Sequence, residues 1–301
     1  MLFSVIAASA KTTGTTGAVY YPVGGAMANI LSKKVPGWAV TAEATAGSVA
    51  NMHMIRDGKA QMALTQCDTA YDAIKGLDKF VGKPVESRTL AVIYPNLVHF
   101  VTMEGTGINK LSDIKGKRIS TSAPVSGSEV MALRIIDELG LKVSDIKRER
   151  LAPAESTNAM KDGKLDGYFF NGGPPVAAIT DLAATQGVKI KLIPTADMAD
   201  ALNKKYGPVH AKSEIKAKAY PNQDAPVPVI AIWNILVVPA SMSNDQAYTI
   251  LKTLWENQAD LVATHKATAD MTPENQKEVN TSVPFHPGAL KFFAEKGIKL
   301  S

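Results

Sequence analysis

The sequence predicts an α/β protein built from two similar lobes, and three observations carry that reading. Short apolar, β-branched runs alternate with helix-like segments along most of the 301 residues, the pattern of βα units with largely parallel sheets. A helix, an Asp-Gly stop and a short apolar run recur, because residues 55–64 resemble residues 160–169 at an offset of 105. Two long apolar stretches, 89–103 and 227–238, read either as strands continuing from one lobe into the other or as ordinary buried sheet core. On the first reading they are two strand-like hinge crossings, with residues 1–96 and 233–301 in lobe I and 97–232 in lobe II. Crossings of that kind, without Gly/Ser linkers, permit rigid-body closure around a ligand.

The elements follow in order. Residues 3–7 read as a buried first strand, although Ala8-Ser9-Ala10 superficially resembles an export cleavage site. That segment lacks a basic start, and its apolar stretch is shorter than the usual ~7–15 residues of a signal peptide. Met1 is therefore expected to be an initiator on a chain whose export signal has been removed. Further strands are expected at 39–44, 62–65, 89–94, 98–103, 118–120, 167–170, 191–193 and 229–238, each a short run rich in branched or aromatic residues. Helices are expected between them at 22–34, 49–56, 67–74, 111–114, 128–139, 156–161 and 175–185, then at 244–256, 258–264, 273–278 and 288–294. In the repeated segment both helices end at Asp-Gly, where glycine takes the left-handed cap conformation. Thr45-Ala46-Gly47-Ser48 and Ser126-Gly127-Ser128 are read as the small-residue turns that open the helix in each copy.

Composition excludes several function classes. The net charge of +5 is scattered, and the densest stretches, 142–150 and 203–218, mix both signs or are broken by Pro208. A nucleic-acid partner calls for a basic stripe with interleaved aromatics, and none is present. Mild positive charge does help draw in anions. Cys67 is the only cysteine, so an intramolecular disulfide and a cysteine-rich metal site are both ruled out. No apolar run approaches the ~18 residues of a membrane span.

Candidate chemistry gathers in four polar loops. Residues 11–22 follow the first strand with hydroxyls and glycines, yet match neither a dinucleotide fingerprint nor a phosphate loop; a bland surface loop reads equally well. Gly47-Ser48 and Ser126-Gly127-Ser128 sit just before helices, where unpaired N–H groups and the positive dipole end point outward. Those serines serve as caps, as ligand donors, or as both. Asn171-Gly172-Gly173-Pro174-Pro175 follows a strand and leads into another helix. Four such loops, two per lobe, suit an anionic or zwitterionic small molecule. His53, His99, His210, His265 and His286 show no metal-ligating spacing, and no nucleophile elbow exists. Cys67 beside Gln66 reads as a packing residue rather than a nucleophile. No cofactor, no metal and no catalysis are expected. An enzyme on the same two-lobed fold is the competing reading; a ligand-sensing domain would need a DNA-binding segment for which no residues remain.

At these residues the sequence resembles the TAXI subgroup of TRAP-transporter solute receptors. The resemblance runs along residues 16–25, 43–51, 63–68, 111–118, 123–129, 166–175, 220–224 and 285–289, in the expected order. It implies a type II periplasmic-binding-protein fold, residence in the periplasm as a monomer, and delivery of a small carboxylate to TRAP permease subunits. Family ligands are amino acids such as glutamate and dicarboxylates such as 2-oxoglutarate. Carried over by motif, the binding positions are Thr16, Gly17, Tyr20, Ser48, Gln66, Ser126, Gly127 and Ser128, with Gly172 and Gly173 completing the rim. The first loop is poorer in glycine than its relatives, and Cys67 stands where Ala or Ser is usual. The ligand carboxylate is expected on helix starts and hydroxyls rather than on an arginine; Arg88 is the doubtful case.

Overall fold

A computed structural model describes residues 9–12 and 19–301. The strand expected at 3–7, together with Thr16 and Gly17, lies outside the described residues. Strands are β1 (Ser9–Thr12), β2 (Val40–Glu43), β3 (Met62–Gln66), β4 (Ser87–Met103), β5 (Arg118–Ser120), β6 (Lys147–Glu149), β7 (Gly167–Gly172), β8 (Ile190–Leu192), β9 (Ala211–Ile215) and β10 (Val227–Pro239). Helices are α1 (Tyr20–Lys34), α2 (Ser48–Arg56), α3 (Cys67–Lys75), α4 (Gly127–Glu138), α5 (Pro153–Lys161), α6 (Ala177–Ala184), α7 (Ala199–Tyr206), α8 (Asn244–Glu256), α9 (Gln258–Thr264) and α10 (Pro287–Glu295).

The chain divides into two compact units. Unit 1 holds β1, Val19–Tyr94 and Trp233–Ser301, and unit 2 holds Pro95–Ile232. The chain passes between them along β4 and β10, which are continuous strands at both passages. In unit 1 the strand order is β2-β1-β3-β10-β4, with β1 parallel to β2 and β3, and β10 antiparallel to β3. In unit 2 it is β6-β5-β7-β4, with β5 parallel to β6 and β7, and β4 antiparallel to β7. The βαβαβα order of β1 to α3 is thus repeated by β5 to α6. Pairing is more mixed than the alternation of runs suggests, because β4 and β10 run against their neighbours and β8 and β9 add to them antiparallel.

The sequence echo is a structural repeat. After α2, the N–H groups of Gly58, Lys59 and Ala60 return to the carbonyls of Ile55, Met54 and Met54; after α5, Gly163, Lys164 and Leu165 return to Met160, Ala159 and Ala159. Gly58 and Gly163 have φ of 68° and 66°, a left-handed conformation that a Cβ disfavours, so both copies need glycine there. The upstream part of the echo is corrected by the topology. Ser126 opens α4, one helix before α5, and the helix matching α2 is opened by Pro153. Ser126 therefore corresponds to the loop before α1, not to Ser48.

In unit 1, Val23, Met27 and Leu31 recur every four residues on α1 and are fully buried, and α1 packs against α8 and α9. Gln276 covers β4 by pairing its side-chain amide with both N–H and C=O of Val92, each at 2.8 Å, as another strand would. Unit 2 has its own core, in which Leu97, Val101, Tyr168, Phe170, Ile179, Leu182, Tyr220 and Val229 pack together. Boundaries differ from expectation for local reasons. Helix α1 starts at Tyr20, placing Pro22 in the first turn, where a missing N–H costs nothing. Helix α6 begins only at Ala177, because Pro174 precedes a proline and Val176 is an extended cap. Residues 111–114 form a 3-10 turn, and the helix expected at 273–278 is instead two such turns, Pro273–Asn275 and Glu278–Asn280.

Candidate ligand-binding site

In each unit the polar loops lie beyond the carboxyl ends of the parallel strands, the usual position for ligands in open α/β sheets. In unit 1, Tyr20, Ser48 and Gln66 come together. Tyr20, at the start of α1, is buried and its hydroxyl donates to Asn234 Oδ1. Ser48 Oγ lies 3.5 Å from the same phenol oxygen and accepts the Gln66 N–H at 3.1 Å. Asn234 Nδ2 in turn donates to the Tyr94 carbonyl at 3.0 Å. Burial pushes the Tyr20 phenol well up; the Ser48 hydroxyl opposes that shift and Asp68 adds to it, so Tyr20 remains a neutral hydroxyl. Burial likewise pushes the Cys67 thiol well up, with Asp68 adding to the effect. A protonated, buried thiol is a poor nucleophile. The turn before α2 is fixed by side chains: Gly47 N–H reaches Thr45 Oγ1 at 3.1 Å, and Thr45 donates to Asn51 Oδ1 at 2.6 Å. Among the described residues no side chain caps α2, whose first N–H groups have no partner within the helix itself.

In unit 2, Ser126, Gly127 and Ser128 open α4 beside Gly172 and Gly173 at the end of β7. The link between them is direct, because Ser128 Oγ accepts the Asn171 N–H at 3.0 Å. Ser126 is a cap: it accepts the Glu129 N–H at 3.0 Å and donates to the Ala123 carbonyl at 2.7 Å. Its hydroxyl proton is thus spent within the loop that opens α4. Among the described residues nothing accepts the N–H of Gly127 or Ser128, and the Ser128 hydroxyl proton is likewise left to donate. Gly172 is required by packing as much as by any ligand, since a Cβ there would meet Phe170 and Val176 at 2.8 and 2.9 Å. The loop before α4 holds two non-glycine residues in the left-handed region, Ser122 (φ 73°) and Val125 (φ 55°). Strain of that kind clusters at functional sites.

Sequence reasoning missed three features. Asn234 stands alone in the apolar run 229–238, and that isolation was the available signal. Arginines do approach the start of α4. Arg148 reaches Glu129 at 2.6 Å and Arg150 at 2.5 Å, and the Val125 N–H binds the same carboxylate at 3.0 Å. Both guanidinium groups thereby pair with Glu129. The rim loop is anchored from behind. His99 is fully buried, with Nδ1 on the Leu97 carbonyl at 2.8 Å and Nε2 facing the Tyr220 hydroxyl at 2.8 Å. Nδ1 must donate to a carbonyl, so Nε2 accepts from Tyr220, whose oxygen accepts the Val176 N–H at 3.2 Å. Burial lowers the His99 pKa to about 4, leaving the imidazole neutral. Arg88 donates to the Ser87 carbonyl, six residues along β4 from Tyr94, or roughly 20 Å at strand rise. Among the described residues no group of three or more His, Cys, Asp or Glu is placed to hold a metal, and no helix is long and apolar enough to cross a membrane.

Residues 12–297 match the NMT1-like family. The chain belongs to that family. This NMT1-like protein is similar to the periplasmic binding protein BugD, with 12% identity and a TM-score of 0.57 over 98% of this chain and 99% of that one. It is similar to MatC from Rhodopseudomonas palustris with bound malate, at 12% identity and a TM-score of 0.55 over 87% and 89% of the two chains. The alkanesulfonate-binding protein SsuA from Xanthomonas axonopodis pv. citri bound to MOPS also matches, at 12% identity and a TM-score of 0.50 over 99% and 82%. These likenesses show the fold of the NMT1-like chain: the two-lobed α/β architecture of periplasmic binding proteins, its lobes joined by two strand crossings.

Proposed function

We propose that this NMT1-like protein is a solute receptor that works in the periplasm, captures a small carboxylate as its two lobes close, and delivers it to a membrane permease. In its finer form the proposal is a TAXI-type receptor of a TRAP transporter, with glutamate or a related amino acid or dicarboxylate such as 2-oxoglutarate as ligand. The observation that carries it is the start of α4, where the Gly127 and Ser128 N–H groups and the Ser128 hydroxyl have no acceptor among the described residues, at the end of a parallel sheet. Three neutral donors and a helix dipole favour an anionic group. The Tyr20, Ser48 and Gln66 cluster of unit 1 supplies a second polar set. The malate bound by MatC, a protein of the same fold, supports a carboxylate.

A thermal-shift panel tests the class. Ligand that binds only the folded state raises the unfolding midpoint, by an amount equivalent to about 2.7 kcal/mol at a hundredfold excess over Kd. Midpoints that rise with glutamate, 2-oxoglutarate or malate, and not with MOPS or taurine, support a carboxylate receptor. A response to the sulfonates alone would replace that ligand class.

A further inference from the structure

Four tyrosines of the described chain are buried: Tyr20, Tyr94, Tyr168 and Tyr220. Three have partners for their hydroxyls, namely Asn234 for Tyr20, Thr157 for Tyr168 and His99 for Tyr220. Tyr94 has none among the described residues, although it is completely buried. A buried phenol ordinarily finds a partner, and one left without it destabilises the fold.

The position of Tyr94 narrows what that partner is. Gln66 on β3 stands opposite Asn234 on β10, and Asn234 bonds the Tyr94 backbone on β4. Polar side chains thus form a row across three adjacent central strands of unit 1, where apolar residues would otherwise be expected. Asn234 spends its amide on Tyr20 and on the Tyr94 carbonyl, so it has nothing directed at the Tyr94 hydroxyl. The Tyr20 phenol is close enough to influence Tyr94 electrostatically, yet the two hydroxyls do not bond. Ser48, at the start of α2, lies 3.5 Å from the Tyr20 phenol oxygen and bonds the Gln66 backbone.

We propose that Tyr94 is a further ligand-contacting residue, its hydroxyl donating to a carboxylate oxygen of the solute beside Tyr20 and Ser48. Burial keeps the phenol protonated, so it is a donor that never competes with an anionic ligand for charge. The inference rests on the reading of the protein as a carboxylate receptor and adds a residue to it.

Tyr94→Phe deletes one oxygen and keeps the ring. The structure gives that oxygen no partner to lose, so the unfolding midpoint of the ligand-free variant should equal or exceed that of the parent. Calorimetry with L-glutamate and 2-oxoglutarate should show affinity lower by about 10- to 150-fold, the range for a hydrogen bond to a charged group. Tyr168→Phe is the control: its hydroxyl is paired inside unit 2, so it should lower the midpoint and leave affinity unchanged. Parent-like affinity in Tyr94→Phe overturns the proposal and leaves the receptor reading standing, the phenol then meeting only water. If the parent itself binds neither probe, the carboxylate reading fails and the role of Tyr94 fails with it.

Discussion

Replacing Tyr220 by Phe removes a single oxygen on which two buried groups depend. That oxygen donates to His99 Nε2 at 2.8 Å and accepts the Val176 N–H at 3.2 Å, and both dependants are fully buried. A buried polar group left without a partner costs about 1–3 kcal/mol, so with two such groups the variant should lose roughly 2–6 kcal/mol against urea with an unchanged m-value. His99 adds a pH signature. Its pKa is lowered to about 4 in the folded state from an ordinary 6.5, chiefly by burial. Between those values the unfolded chain binds a proton that the folded chain refuses, so stability falls as pH drops from 6.5 toward 4, by up to about 3 kcal/mol at 1.36 kcal/mol per unit. His53 and His286 are shifted down as well, so the informative quantity is the difference between the parent and His99→Gln, whose pH dependence should be shallower. Equal urea midpoints for parent and Tyr220→Phe at pH 7.5, together with identical pH slopes for parent and His99→Gln, would refute the buried relay.

Other expectations follow from the same geometry. Ser126→Ala should cost about 1 kcal/mol of stability through the lost cap, whereas Ser128→Ala should chiefly weaken binding, by about 10- to 150-fold in calorimetry. Arg88→Ala should bind like the parent, and loss of binding there would make an arginine the anchor. Glu129→Gln leaves Arg148 and Arg150 facing a neutral amide; because both arginines are partly solvated, about 1–3 kcal/mol of stability should be lost in urea titration. Ligand should reduce the radius of gyration in small-angle scattering if the lobes close, and an unchanged radius for a demonstrably open ligand-free protein would remove closure from the account.

What could be read from the sequence depended on how local the signal was. Asp57-Gly58 and Asp162-Gly163 announced the repeat because a helix stop followed by an apolar strand is encoded within ten residues. The start of α4 was legible for the same reason, since its small residues and cap adjoin in the chain. Long-range partners were not. Glu129 meets Arg148 and Arg150 only because β5 and β6 lie side by side, and Tyr20 meets Asn234 across 214 residues. The strands β6 and β9 were missed because their residues are mainly polar and exposed, giving no alternation to detect. The Ser126 hydrogen bonds were not legible, as the direction of a hydroxyl proton depends on where the Ala123 carbonyl falls in the folded loop.

The central claim is capture of a small carboxylate without turnover. Native mass spectrometry of gently purified protein, followed by calorimetry with whatever mass co-purifies, tests it most directly. The account predicts one small carboxylate per chain, displaced by an excess of glutamate or 2-oxoglutarate and recovered chemically unchanged. A non-anionic ligand, or a carboxylate recovered as a reaction product, would contradict it.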